Sequence, residues 1–368
     1  MSRSSRTSIR ERGEVLALKT ALIFGVTGQD GSYLAELLLG KGYKVIGVKR
    51  RASIRNTARV DHLLDDKDLA ERFELLHGDI SDSSSVHAII RSSNPDEIYN
   101  LAAQSHVGVS FNEPEYTCHV DGLGVLRILE AIVLSESAAK FYQASTSELF
   151  GGLSGGLLSE TSTFNPRSPY AAAKLYGYYL VKQYREAYGI PAYNGILFNH
   201  ESPRRGENFV SRKVTLMMNE LFQGRIDVIR LGNLEAVRDW GHAKDYVRAM
   251  HSMINDASPD DYVVSTGEAF SVKEFVRVAF EITGHKLSFD GEGEDCIARV
   301  VGHCESKIGN AVVLPLGTVV VQVDPKYFRP LEVPHLLGDS SKFRAATGWK
   351  PEYEFYDLVL DMVRTDVQ

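Results

Sequence analysis

Four side chains in two stretches of this chain have the types and spacing to move protons on an alcohol. Thr146 and Glu148 follow an apolar run, and Tyr170 precedes Lys174 by one helical turn. A tyrosine is a poor base at neutral pH, because a phenol ordinarily titrates near ~10. An ammonium beside it favours the phenolate, and positions i and i+4 share one helix face, so Lys174 is expected to lower Tyr170. Thr146 could hold the same substrate hydroxyl. Glu148 adds a carboxylate that simple alcohol oxidation does not use and that a second proton transfer would need. Together the four could oxidise an alcohol and then expel water. Taken alone, a Tyr and a Lys one turn apart are an ordinary helix face, and a Ser/Thr/Glu cluster after a strand is an ordinary cap. The segment that precedes them gives them weight.

That segment runs from Thr20 to Gly31. Residues 21–24 form a short apolar strand, residues 25–31 a glycine-rich turn, and residues 33–39 resume with helical periodicity. Gly25 permits the tight turn, Gly28 lets backbone approach a pyrophosphate, and Gly31 lets the helix pack closely with its amino end toward the anion. The spacing is G-x-x-G-x-x-G, and its place between strand and helix makes it a dinucleotide signal. The next strand, 44–48, should end beside the adenosine ribose. An acidic residue there would favour NAD; Lys49, Arg50 and Arg51 stand there instead, followed by Ser53 and Arg55. Forked guanidinium donors suit a phosphate dianion, which points to NADP.

The elements that must position these groups alternate along the chain. Strands are expected at 73–76, 98–101, 140–143 and 193–198, and helical stretches after Ser81, at 122–134 and at 170–188. Such alternation implies an α/β fold with a doubly wound parallel sheet of Rossmann type, whose carboxyl edge carries Asp79, Ala103, Gln104, Ser105 and Thr146. After Asn199 a Pro, two Arg and a Gly break the rhythm. Helices at 209–223, 243–254 and 272–283 follow in less regular order, and 289–316 gives no secondary-structure reading. The expected division is a disordered arm over 1–18 and an NADP-binding domain over 19–199, to which the chain returns around 239–260. A smaller mixed α/β substrate domain takes 200–238 and 261–368. Lys213, Arg238 and Arg329, with Asn199 and Asn208, suit a diphosphate and its sugar.

With 368 residues, 43% of them hydrophobic, the chain can bury a large core. A formal charge of −7 argues against general binding to nucleic acid or an anionic membrane. Cys118, Cys296 and Cys304 form no C-x-x-C pair, which suits a reducing compartment and a cytoplasmic enzyme. Residues 1–12 lack the apolar centre of a signal peptide, and no later run is long enough to span a bilayer. No metal-ligand spacing occurs, and His242 and His251 read as polar residues of a helical region.

Tyr170-x-x-x-Lys174 with the glycine turn resembles the extended short-chain dehydrogenase/reductase superfamily. Longer blocks resemble, within it, the GDP-mannose 4,6-dehydratase family: residues 25–34 (GVTGQDGSYL), 49–53 (KRRAS), 100–107 (NLAAQSHV), 194–206 (NGILFNHESPRRG), 238–246 (RDWGHAKDY) and 327–330 (YFRP). The likeness covers nearly everything from Thr20 to Pro351. It implies that Thr146, Glu148, Tyr170 and Lys174 are catalytic. It implies an NADP site made by Gly25, Thr27, Gly28, Gln29, Asp30, Gly31, Arg50, Ser53, Asp79, Ile80, Leu101, Ala103, Gln104, Ser105, Tyr116, Lys174, His200 and Arg205. It assigns Asn199, Asn208, Lys213, Arg238, Arg329 and Glu332 to the GDP-sugar. The same resemblance implies a hydro-lyase acting on GDP-mannose in deoxysugar synthesis, and a homodimer or homotetramer.

Phe150 stands where the family more often has Tyr, and 151–163 and 289–316 match loosely, which leaves another GDP-sugar such as GDP-heptose open. A nucleotide-sugar 4-epimerase would share Tyr170 and Lys174 but has no use for Glu148. An idle NADP-binding scaffold usually loses part of the Tyr/Lys pair, and both members are present here.

Overall fold

A computed structural model describes residues 18–152, 156–309, 312–328 and 331–367. The arm expected over 1–18 thus lies outside the described residues, apart from an exposed Leu18.

Seven parallel strands form the main sheet, in the order Asp261–Val264, Ala192–Leu197, Lys140–Thr146, Glu97–Asn100, Thr20–Phe24, Lys44–Lys49 and Phe73–His77. Their near-continuous apolar character follows from burial on both faces. One face packs on helices Gln29–Gly40 and Ala243–Asp256 through Leu34, Leu38, Met250 and Met253. The other packs on Ser83–Ser93, Leu123–Leu134 and Pro169–Tyr188 through Ile90, Ile128, Leu129 and Val181. The chain winds outward from Thr20–Phe24 in one direction, then crosses to the other side at Glu97–Asn100. Phe24 pairs with both Val48 and Asn100, so the turn after Phe24 opens at the switch point between them.

The seventh strand corrects the expected boundary. Asp261–Val264 belongs to the large sheet, although the sequence reading gave everything from 261 onward to the second domain. Phe343 and Trp349 also pack into the first core. A four-residue strand, here one aspartate and three apolar residues, has no local mark of which sheet will receive it.

A second core lies around the four-stranded sheet His285–Asp290, Ile297–His303, Val319–Val323 and Ile229–Leu231, covered by helices Val210–Phe222, Val272–Ile282 and Phe355–Asp366. The segment that gave no reading therefore holds the strand Ile297–His303, paired antiparallel with His285–Asp290, whose last two residues it also contains. A small sheet joins the halves: Val237–His242 pairs with Asn199–Glu201, Ala269–Ser271 and His335–Leu336.

Candidate active site

The four side chains expected to be catalytic come together because one strand is long and one helix starts with a side-chain cap. Lys140–Thr146 continues three residues past the Gln143–Asn100 pair, which carries Thr146 beyond the sheet edge. Its hydroxyl then accepts from the Glu148 backbone N–H at 3.2 Å and opens a short 3-10 turn, so the carboxylate follows directly. Helix Pro169–Tyr188 starts with the Ser168 side chain accepting from the Ala171 N–H, with Pro169 in its first turn, and ends at Gly189 in the left-handed region. Tyr170 and Lys174 occupy its first turns. All four line one cavity of about 450 Å³ at the carboxyl edge of the sheet, together with the glycine turn.

Tyr170 and Lys174 are almost fully buried, at 8% and 4% exposure. Lys174 Nζ donates to the Ala144 carbonyl at 3.1 Å and lies 5.8 Å from the Tyr170 ring centre. On balance the Tyr170 phenol is raised, not lowered. Burial, chiefly, holds the phenol well above its usual value; the charges of Asp121 and Glu148 add to the rise, and the Thr146 hydrogen bond and Arg205 oppose it. Burial likewise holds Lys174 below the usual lysine range, against the pull of Asp121. Desolvation, which spacing along a helix does not reveal, dominates both groups.

The glycine turn is built as the sequence reading expected. Gly25 has φ +84°, and a Cβ there would meet the Ala102 backbone at 2.8 Å. One on Gly31 would lie 2.3 Å from the Gly25 carbonyl oxygen, so helix and strand close up only around a hydrogen. No side chain caps the amino end of Gln29–Gly40, and Thr27, Gly28, Gln29, Asp30 and Gly31 all line the cavity. Uncapped N–H groups and glycine backbone at a helix start fit a pyrophosphate.

Beneath this turn, His200 Nε2 faces Asp30 at 2.7 Å and Nδ1 faces the Phe198 carbonyl at 2.8 Å. Both ring nitrogens meet acceptors, which is the pattern of an imidazolium. Burial works against the charged forms, but the pairing outweighs it: Asp30 is held below and His200 above its usual value.

Arg50, Asp79, Ile80, Leu101, Ala103, Ser105 and Tyr116 line the cavity, as do His200, Arg205 and Asn199. Arg50 donates to the Tyr116 hydroxyl. Ser53 sits instead in a second, open cavity of about 510 Å³ with Lys49, Arg51, Arg55 and His77. Gln104 is turned away: its side chain binds the His106 backbone and the Thr117 hydroxyl.

Among the described residues assigned to a sugar nucleotide, Asn199 alone shares the cavity. Asn208 is exposed, Lys213 lies over the Tyr327 ring at 3.3 Å, and buried Arg238 reaches Glu332 at 3.3 Å. Arg329 lies outside the described residues.

Sequence reasoning missed Arg59 and Ser147 in the lining, and Asp121 behind Lys174. Arg59 is fixed by its bond to the Arg204 carbonyl at 2.8 Å, and a lone loop arginine carries no signal for such a contact. Ser147 stood in plain view between Thr146 and Glu148. Cys118, Cys296 and Cys304 are free thiols. His242 caps helix Ala243–Asp256 and binds Asp361 at 3.0 Å, and His251 lies in that helix. Among the described residues no helix is long and apolar enough to cross a membrane.

Residues 22–362 match the model of a family described as GDP-mannose 4,6 dehydratase. A GDP-mannose 4,6-dehydratase of Vibrio cholerae is 52% identical over 353 residues, covering 95% of this chain and 94% of that protein. A human GDP-mannose 4,6 dehydratase is 49% identical over 352 residues, covering 95% and 91%. In fold the chain is similar to a dTDP-glucose 4,6-dehydratase of Streptomyces venezuelae, with a TM-score of 0.75 at 21% identity over 94% of this chain and 96% of that one. A UDP-glucose 4-epimerase of Thermus thermophilus gives 0.74 at 22%, covering 94% and 98%.

Proposed function

We infer the chemistry of this site from one premise: the chain belongs to the GDP-mannose 4,6-dehydratase family. It is a hydro-lyase of the short-chain dehydrogenase/reductase superfamily that converts GDP-mannose to GDP-4-keto-6-deoxymannose. The observation that carries the mechanism is the single cavity shared by the glycine turn, Thr146, Glu148, Tyr170 and Lys174.

The turn from Gly25 to Gly31 would hold the pyrophosphate of a nicotinamide dinucleotide, with Asp79 and Ile80 toward the adenosine end. Arg50 and the basic loop after it favour NADP over NAD, since a guanidinium binds a 2′-phosphate and no carboxylate stands there to bind a bare ribose. A nicotinamide held in this cavity would supply a reversible hydride acceptor, which would allow oxidation of the sugar at C4 and reduction at C6.

Tyr170 removes the proton of the C4 hydroxyl, Thr146 holds O4, and Lys174 supplies positive charge to the phenolate. The resulting 4-ketone acidifies the proton at C5. Glu148 takes that proton and passes it to the C6 hydroxyl, which leaves as water to give an enone. Once C6 has regained hydride, C5 takes up a proton, and the net change is loss of one water. Asn199, Lys213, Arg238 and Glu332 would serve the GDP moiety and its sugar. We also assign the protein to the cytoplasm as a homodimer or homotetramer, on the strength of the family likeness.

Incubation with GDP-mannose in deuterated water, followed by NMR, tests the reaction. Dehydration gives a 4-keto-6-deoxy sugar with deuterium at C5; an unlabelled C4 epimer, or unchanged substrate, would overturn it. Titration with NADP and NAD, separately, tests the cofactor: tighter binding of NAD would remove Arg50 from its assigned role.

A further inference from the structure

Proton abstraction by Tyr170 leans on the buried ammonium of Lys174, and what stands behind that ammonium is Asp121, the last residue of helix Pro114–Asp121. Two glycines bring that helix against the catalytic one. A Cβ on Gly122 would come within 3.4 Å of the Ala173 carbonyl, and one on Gly177 within 3.3 Å of the Asp121 carbonyl. The backbones therefore meet on the turn that carries Lys174. Asp121 is 1% exposed. Its Oδ1 accepts from the Gln104 N–H at 2.7 Å, while its Oδ2 is buried with no hydrogen-bond partner among the described residues. Tying down Gln104 needs only one acceptor, which a neutral amide provides equally. A half-satisfied buried carboxylate is costly, so its charge is the feature that calls for a use.

We propose that Asp121 is a positioning residue that fixes the charge of Lys174, and through it the pH range in which Tyr170 can take the sugar's proton. This rests on the reading of Tyr170 as the base. Asp121 is faced by Lys174 and the Gln104 backbone, while Tyr170 is faced in addition by Glu148 from the turn after the strand and Arg205 from the loop beyond Asn199–Glu201. A negative charge behind Lys174 makes the ammonium easier to keep and the phenolate harder to form. The alkaline limit of the active pH range therefore lies higher than it would beside a neutral group. Burial pushes Asp121 itself up to about 6, against the pull of Lys174 and the Gln104 N–H, so it is ionised at neutral pH.

The test is kcat on GDP-mannose from about pH 5 to pH 10 for the wild-type holoenzyme, D121N and D121S, with the same series in a K174R background. The amide keeps an acceptor for Gln104 and removes only the charge. The alkaline limb of the D121N profile should move to lower pH by about one unit, or about tenfold in rate at a fixed pH on that limb. In K174R, whose cation does not titrate, the alkaline limb should stay put. A D121N profile lower in height but unmoved along the pH axis overturns the proposal, as does an unchanged profile. If neither Asp121 variant folds, the carboxylate is structural and the proposal also fails. Lack of turnover by the wild type would strike at the reaction itself, so the two failures are told apart.

Discussion

In the proposed mechanism Glu148 is the group that separates dehydration from plain oxidation. Replacing it by Gln keeps the shape of the 3-10 turn that begins at Thr146, because that turn is closed by backbone N–H to Thr146 Oγ1. We expect E148Q to bind NADP normally and to lose turnover by roughly 10²-fold or more; near-normal turnover would remove the carboxylate from the mechanism. The His200–Asp30 pair yields a prediction with a definite sign. Asp30 is lowered from 3.8, so its contribution to stability is present above that value and is lost only as pH falls through the folded one. His200 is raised from 6.5, so its contribution is complete below that value and is lost as pH rises through the folded one. Melting temperature should therefore fall more steeply from neutral to alkaline pH in the wild type than in H200Q. Parallel curves would show that the pair is not an ion pair in solution.

At the scale of elements, the dinucleotide turn works only if helix Gln29–Gly40 and strand Thr20–Phe24 close to backbone contact. A methyl on Gly31 would meet the Gly25 oxygen at 2.3 Å and Val26 Cα at 2.6 Å, and backbone cannot step aside as a flexible side chain can. G31A should lose about 1–3 kcal/mol in urea unfolding and bind the dinucleotide more weakly. Unaltered binding would mean that the turn does not hold the pyrophosphate. This element was legible in the sequence because strand, turn and helix are consecutive, and each leaves its own period or glycine. The antiparallel pair His285–Asp290 and Ile297–His303 was not. Register shifts between Lys286 and Leu287 and between Ala298 and Arg299 break the two-residue alternation from which a strand is read.

Across the whole molecule, Asp239 holds the two halves in register. Its buried carboxylate accepts from the Thr266 N–H and hydroxyl, the Gly267 N–H and the Gly338 N–H. These donors come from two separate stretches of chain, neither of them next to Asp239 in sequence. Truncation would strand four donors at once, the Gly338 N–H buried and the others partly so, and D239A should cost about 2–3 kcal/mol in equilibrium unfolding; a loss within experimental error would show that the clamp carries no load. None of its partners is near it in sequence, and no spacing rule would have joined them. The same separation marks what could and could not be read in advance. The alternation of strands and helices, the glycine turn, the basic loop and the four reactive side chains are local patterns, so the amino-acid order alone determined the fold class and the reaction it serves. Tertiary structure decided the rest: that Asp261–Val264 completes the first sheet, that Gln104 faces away from the cavity, that Asp121 backs Lys174, and that Tyr170 is on balance raised by burial, not lowered. Those outcomes depend on which surfaces lose water when distant segments meet, and desolvation is a property of the assembled fold rather than of any stretch of the chain.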